Sequence, residues 1–489
     1  RKIILFFLFI SNLTFASFDM NENIRQSYSH ILNLEFDEAN IFLSQEDSVN
    51  PQNGFIPVYR NYIDFLTIQT IEDFSFFESH KGLKDIRIRS LEYNDKTSPY
   101  YLYAKSEILL QWAFARLKFE EYFTATYEIV QAYRLLEENQ RKFPDFTLNN
   151  KGLGLIHAML GAVPDEFQWI LSLTGLEGSI PRGLHELDDL LNDSSFAMYH
   201  DETLFLLSFL QINLANNESL CKKYLKSIGN RYKDNLLLNF AAARLSNHLG
   251  LNDYCLNVLE NRPYSVGMNK FYYLDYLQGM CYLYVLDYEN AKQKFEGFLI
   301  NFHGLNYIKS ANHKLAWIAF LQDDTKLRDI YLQRVISDGN LIIDEDKAAF
   351  MYAKSNSINH PVLLKTRLLY DGGYYSLALS EINKIKEKDK SFSEDHKIEY
   401  WYRMARVQSR LIDDNMLIIS YYQKALERGK DATSYYAPMS ALQMGLIYER
   451  DKKNQKAKFY FNTCLAMSGF DYQRGIHIKA KSALARIKN

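Results

Sequence analysis

His185 and Glu186 stand side by side, as the first two residues of a zinc-binding H-E-x-x-H helix would. The second histidine is missing, because Asp189 occupies its place one turn on. Asp344, Glu345 and Asp346 form a short acidic run. It lacks the glycine and ligand spacing of a calcium loop. It reads instead as a solvated helix start, where acids face the positive end of the helix dipole. The chain holds no Walker loop, no G-x-S-x-G and no G-x-G-x-x-G opening a helix after a strand. The 11 histidines are scattered. These patterns give no catalytic residue, no metal ligand set and no cofactor, and the expectation is a non-enzyme. Cys221, Cys255, Cys281 and Cys464 lie far apart with no C-x-x-C pair. They read as small core residues, with a bridge among the first three as the alternative.

The elements that could position a site show a regular frame. Gly279, Tyr282, Ala291 and Phe295 fall at places eight, eleven, twenty and twenty-four of a repeat about 34 residues long. Gly445, Tyr448, Ala457 and Phe461 repeat that spacing near the end. A small residue lets two antiparallel helices touch, and aromatics fill the gaps around them. One such hairpin cannot bury its apolar face alone, so several must stack. Partial frames recur at Ala243 and Cys255, at Gly373, Tyr375 and Ala378, and at Ala405, Ile418, Tyr422 and Ala425. With 9 prolines and 21 glycines among 489 residues, long helices and short turns are favoured. The fold class expected is all-α, an α-α superhelix of antiparallel hairpins.

On these residues the chain resembles the tetratricopeptide repeat (TPR) proteins, in particular exported bacterial ones. A finer resemblance lies in residues 152–191: Gly152-x-Gly154 before an apolar helix, Val163-Pro164, Leu173-x-Gly175-x-x-Gly178, then Gly183-Leu184 and Leu187, together with Lys314-Leu315-Ala316-Trp317. That pattern is similar to the inclusion-body clearance proteins of fungi and their animal relatives, the tetratricopeptide domain 39-like family. The resemblance implies a shared scaffold shape and a protein-binding groove.

In TPR proteins the first helix of each repeat turns places two, five, nine, twelve and thirteen to the concave face. Here those places hold Arg367, Tyr370 and Asp371, then Glu399, Tyr402, Arg406 and Arg410, then Leu446, Glu449 and Arg450. The candidate partner-binding groove is Arg367, Tyr370, Tyr402, Arg406, Arg410 and Arg450. Arg367 and Arg406 hold the same place in adjacent repeats and are expected in one row. Helix-held arginines can grip a carboxylate or a peptide backbone in bidentate fashion. The alternative is that they pair with Asp371, Glu399 and Glu449 and only stabilise the stack.

Arg1-Lys2, the apolar run Ile3 to Ile10 and the small Ala16 preceded by Thr14 read as a secretory signal peptide, residues 1–16. Export to the periplasm or cell envelope of a bacterium follows as an expectation. The organisation expected after it is an N-terminal TPR-like region at 17–151 and a hairpin interrupted by glycine and proline at 152–197. A TPR array at 198–471 and a capping helix at 472–489 complete it. A net charge of −2 argues against a nucleic-acid partner, and no later stretch has the roughly 20 apolar residues of a membrane span. The partner expected is a protein or peptide. A second reading makes the chain peripheral to the envelope or lipid-associated, through Phe167, Trp169, Ile170, Leu173 and Leu176 of the apolar 163–180 hairpin.

Overall fold

The structure is a computed structural model, and it describes residues 18–163, 175–355, 359–385 and 392–488. The expected signal peptide lies outside the described residues, as do Phe167, Trp169, Ile170 and Leu173. Leu176, the remaining member of that apolar set, is buried. The described residues contain helices and turns and no strand. The chain is all-α, with antiparallel helical hairpins of the α-α superhelix class, a TPR-like fold. It divides into two compact units. One comprises residues 1–241 and 261–271, the other 242–260 and 272–489.

Seven of the hairpins share one turn. Leu34, Glu120, Gly250, Leu286, Asp323, Gly373 and Lys452 each adopt a left-handed backbone at the end of a first helix. In each case the following N–H reaches back to the carbonyl five residues earlier: Glu35 to His30, Glu121 to Arg116, Leu251 to Ser246, Asp287 to Tyr282, Asp324 to Ala319, Tyr374 to Leu369 and Lys453 to Tyr448. This is the Schellman termination, which satisfies carbonyls the helix would otherwise leave open. The second helix starts two residues after the left-handed one. Glycine is needed in this turn where the turn itself is crowded. A Cβ on Gly373 would meet the Gly250 carbonyl oxygen at 1.8 Å, and its φ is +87°.

The four places of the repeat frame do the packing expected of them. In the hairpin Tyr273–Tyr284 and Tyr288–Asn301, a Cβ on Gly279 would lie 2.9 Å from the Phe295 ring. In Tyr436–Arg450 and Asn454–Ala466, a Cβ on Gly445 would lie 2.4 Å from Phe461. Ala291, Phe295, Ala457 and Phe461 have no exposed surface. Each phenylalanine thus fills the hollow left by the glycine of its own hairpin. All four cysteines are buried and free, with the Cys255 and Cys281 sulfurs 3.3 Å apart.

In the first unit, helices Pro99–Lys118 and Tyr122–Lys142 form the longest hairpin. Ser98 caps the former by accepting from the Tyr100 N–H, and Pro99 occupies its first turn. Before it, Phe55–Ile71 ends at Glu72, whose φ is 54°, and Phe74–His80 restarts behind the Asp73 cap. Residues 152–161 depart from expectation. Gly152 and Gly154 do not interrupt a helix but lie inside Asn149–Leu160. They are contact points. A Cβ on Gly154 would lie 2.7 Å from the Gly183 carbonyl oxygen, and one on Gly183 would lie 2.2 Å from that of Gly154. Asn149–Leu160 and Ile180–Asn192 therefore cross glycine on glycine.

The same unit encloses a charged centre. The Lys151 ammonium lies 2.7 Å from Glu107 and 3.0 Å from Glu202. Tyr28 and Tyr62 donate their hydroxyls to Glu202 at 2.5 and 2.8 Å. The rings of Tyr62, Tyr103 and Tyr199 each face the ammonium at 5.9 Å. Burial raises the Glu107 carboxyl above its ordinary range, and Lys151 opposes that rise.

In the second unit, Asp344 and Glu345 are exposed as a helix start should be, but Asp346 is fully buried. Its carboxylate accepts from the N–H groups of Tyr307 and Ser310 at 2.7 and 2.8 Å. It thereby caps the helix Ile308–Leu321, whose own N-cap, Tyr307, has no capping side chain. Asp346→Ala leaves both donors unmet and should lower stability by about 2 kcal/mol, read as a fall in the urea midpoint. Burial also pushes the Asp346 carboxyl up to about 6. The native state then holds this proton more tightly than the unfolded chain. Its contribution should therefore decline from about pH 4 to about pH 6 and stay level above.

Candidate functional site

First helices of successive hairpins in the second unit contribute one cluster of cations and aromatic rings. Ile308–Leu321 supplies Lys314 and Trp317, and Pro361–Asp371 supplies Arg367, Tyr370 and Asp371. Glu394–Leu411 supplies Glu399, Tyr402, Arg403 and Arg406. Tyr436–Arg450 and the segment before it add Tyr435 and Tyr436.

The expected row of Arg367 and Arg406 is present, and one carboxylate serves both. Asp371 lies 3.6 Å from Arg367 and 3.5 Å from Arg406. Aromatic faces hold the guanidinium planes. Arg406 sits 4.0 Å from the centre of Tyr370 and 5.7 Å from that of Tyr402. Arg367 sits 5.0 Å from Trp317. Stacking of this kind fixes a guanidinium plane without using its N–H donors. Tyr402 is buried, and its ring packs 5.3 Å from Tyr436 and 5.9 Å from Tyr435. Burial raises its hydroxyl pKa, against the pull of Arg406. It therefore stays neutral and serves as a platform.

Arg410 and Arg450 extend beyond the row. Arg410 is at the end of its helix, 5.9 Å from the Tyr375 ring, which itself lies 5.2 Å from the Tyr370 ring of the row. Arg450 is exposed and reaches the Asn415 side chain at 3.5 Å. Of the carboxylates that could have neutralised the row, Asp371 does so in part. Glu399 pairs with Arg403, and Glu449 pairs with Arg486 at 2.9 Å.

Two cations of this surface were not singled out as groove residues in the sequence. Arg403 is buried, with its guanidinium 5.7 Å from the Tyr436 ring. Lys314 lies 3.7 Å over the Trp317 ring, so the indole carries Lys314 and Arg367 together. No carboxylate among the described residues comes within ion-pair distance of Lys314. Burial and the neighbouring Arg367 push its ammonium down to about 7. His313, beside it, is held well below its ordinary value by burial, Lys314 and Arg367, and is neutral. The Trp317 Nε1 and His313 Nε2 atoms are buried without a hydrogen-bond partner. Nothing in the local sequence Lys314-Leu315-Ala316-Trp317 marks Lys314 as facing Arg367.

Among the described residues no three His, Cys, Asp or Glu side chains come together to hold a metal, and no helix is long and apolar enough to cross a membrane. No family model matches the chain. No curated protein matches it either. Among solved structures it is similar to yeast Tom70, at 11% identity over 87% of this chain and 97% of that one, with a TM-score of 0.21. So low a TM-score carries no argument about arrangement or partner. The fold class rests on the hairpins, their shared turn and the glycine–phenylalanine contacts described above.

Proposed function

We propose that this protein is a non-catalytic scaffold that binds a protein or peptide along the concave surface of its second unit. The observation that carries the reading is the set of arginines braced by tyrosine and tryptophan faces, with two guanidinium groups sharing the single carboxylate of Asp371. A surface already held in place loses little entropy on binding, so a partner can dock without large rearrangement. Export to the bacterial periplasm or envelope is part of the proposal and is supported by the basic, apolar and small-residue pattern of residues 1–16.

The test is capture of partners by the purified chain beside its Arg367→Ala, Arg406→Ala variant, with unchanged far-ultraviolet dichroism as the folding control. The expected result is one or more proteins held by the wild type and lost by the variant. Equal capture by both would place the binding surface elsewhere.

A further inference from the structure

We propose that Cys255 and Cys281 are a disulfide-forming pair whose bond ties two successive hairpins of the second unit together. The inference is independent of the groove. The first argument is position. Cys255 lies on Asn252–Glu260, the second helix of one hairpin, and Cys281 on Tyr273–Tyr284, the first helix of the next. Neither side chain has exposed surface, and the two sulfurs meet at 3.3 Å. A disulfide holds its sulfurs about 2.05 Å apart, so closing the gap takes about 0.6 Å from each.

The second argument is orientation. The Cys255 thiol donates to the Ala243 carbonyl at 3.3 Å, which leaves the sulfur lone pairs to accept from the Cys281 thiol. The backbone is pinned at the same level. Asn252, one turn before Cys255, donates its side-chain amide to the Cys281 carbonyl at 2.9 Å and to the Tyr374 hydroxyl at 3.0 Å. The sulfurs are thus kept facing one another by the helices that carry them.

The oxidant required is a second disulfide, such as oxidised glutathione. One cysteine thiolate attacks it, displaces one glutathione thiolate and leaves a mixed disulfide. The other cysteine then attacks the protein sulfur of that mixed disulfide and displaces the second thiolate. Two protein thiols become one disulfide, their protons end on two glutathione thiols, and two electrons pass to the oxidant. Access decides when this happens. The bond to Cys255 and burial push the Cys281 thiol well above its ordinary value. The folded chain therefore offers no thiolate, and the disulfide forms while the hairpins are still open, as in folding within an oxidising compartment. It closes a loop of 26 residues and removes conformations from the unfolded chain.

The test uses the full chain, reduced and then loosened in moderate urea. One sample receives oxidised glutathione and a parallel one dithiothreitol, and the urea is dialysed away. Each is then denatured, alkylated with iodoacetamide and weighed by mass spectrometry. The reduced sample should carry four alkyl groups, one for each cysteine, and the oxidised sample two. Peptide mapping should join the peptides that hold Cys255 and Cys281. The oxidised chain should melt about 5 °C higher than the reduced one. Cys255→Ala and Cys281→Ala should each abolish that difference. Four alkyl groups after oxidation would overturn the proposal, as would a bridge to Cys221 or Cys464 in place of this one. An oxidised chain that melts no higher than the reduced one would overturn it too, by showing that the bond ties nothing together. The mapping is done on the wild type, so its outcome stands even where an alanine variant folds poorly.

Discussion

Lys151→Met should cost the first unit about 3–5 kcal/mol, because it strands two buried carboxylates whose counter-ion has gone. Glu107 and Glu202 flank the ammonium at 2.7 and 3.0 Å, and all three side chains are buried. Methionine nearly matches the stem in length, so the loss reports charge and not a cavity. The sign of its pH dependence is a sharper check. Glu107 is raised above its ordinary range even beside Lys151. Without the lysine its folded-state value rises further. The penalty is then present in full above the folded value and fades as pH falls toward the unfolded carboxylate range, near 4. Urea unfolding at neutral and at mildly acid pH should show the deficit shrinking in acid. Adding Glu107→Gln and Glu202→Gln to Lys151→Met should restore much of the loss, since a neutral centre needs no counter-ion. A deficit that is equal at both pH values would show that packing, not charge, is what Lys151 contributes.

Gly183→Val is the second large effect, expected to exceed about 3 kcal/mol. A Cβ there would lie 2.2 Å from the Gly154 carbonyl oxygen and 2.6 Å from the Ala158 nitrogen. Both are backbone atoms inside the Asn149–Leu160 helix, so no side chain can rotate aside. The two helices must separate, and Leu187 and Leu190, both without exposed surface, would lose their contacts. Gly297→Ala is the matched control. Gly297 also sits within a helix, Tyr288–Asn301, but a Cβ on it would meet nothing within 4 Å. That change should raise stability by about 1 kcal/mol, the ordinary helix preference of alanine over glycine. Thermal melts of the two variants should therefore move in opposite directions. A Gly183→Val melt within a degree or two of wild type would show that the crossing is looser than the glycine contact implies.

These effects show where sequence reasoning reaches its limit. Gly279 with Phe295 and Gly445 with Phe461 are legible because their partners lie within one hairpin, where helical periodicity sets which side chains meet. The all-helical class follows from the same local rule, as do the Ser98-Pro99 helix start and the burial of Ala291 and Ala457. The shared hairpin turn is much harder to read. Only Gly250, Gly373 and, more weakly, Asp323 carry a residue type that tolerates a left-handed backbone, while Leu34, Glu120, Leu286 and Lys452 adopt it without one. There the packing of the two helices dictates the turn.

The groove divides in the same way. Repeat position alone identified Arg367, Tyr370, Tyr402 and Arg406 as one surface, and the structure brings these four together. The same rule placed Arg410 and Arg450 with them: Arg410 adjoins the row through Tyr375, which packs on Tyr370, whereas Arg450 lies by Asn415. Lys314 joins the site because Trp317 brings it beside Arg367 of a helix distant in sequence, and Arg403 through its contact with Tyr436. The charge of Lys151 is likewise balanced by Glu107 and Glu202, which sit on other helices. Helix, hairpin and stacking were thus determined by the sequence alone, since each depends on residues within a few turns of one another. Which cations share a counter-ion, and which have none, was decided only by the tertiary structure, because electrostatic environment depends on distance in space and not along the chain.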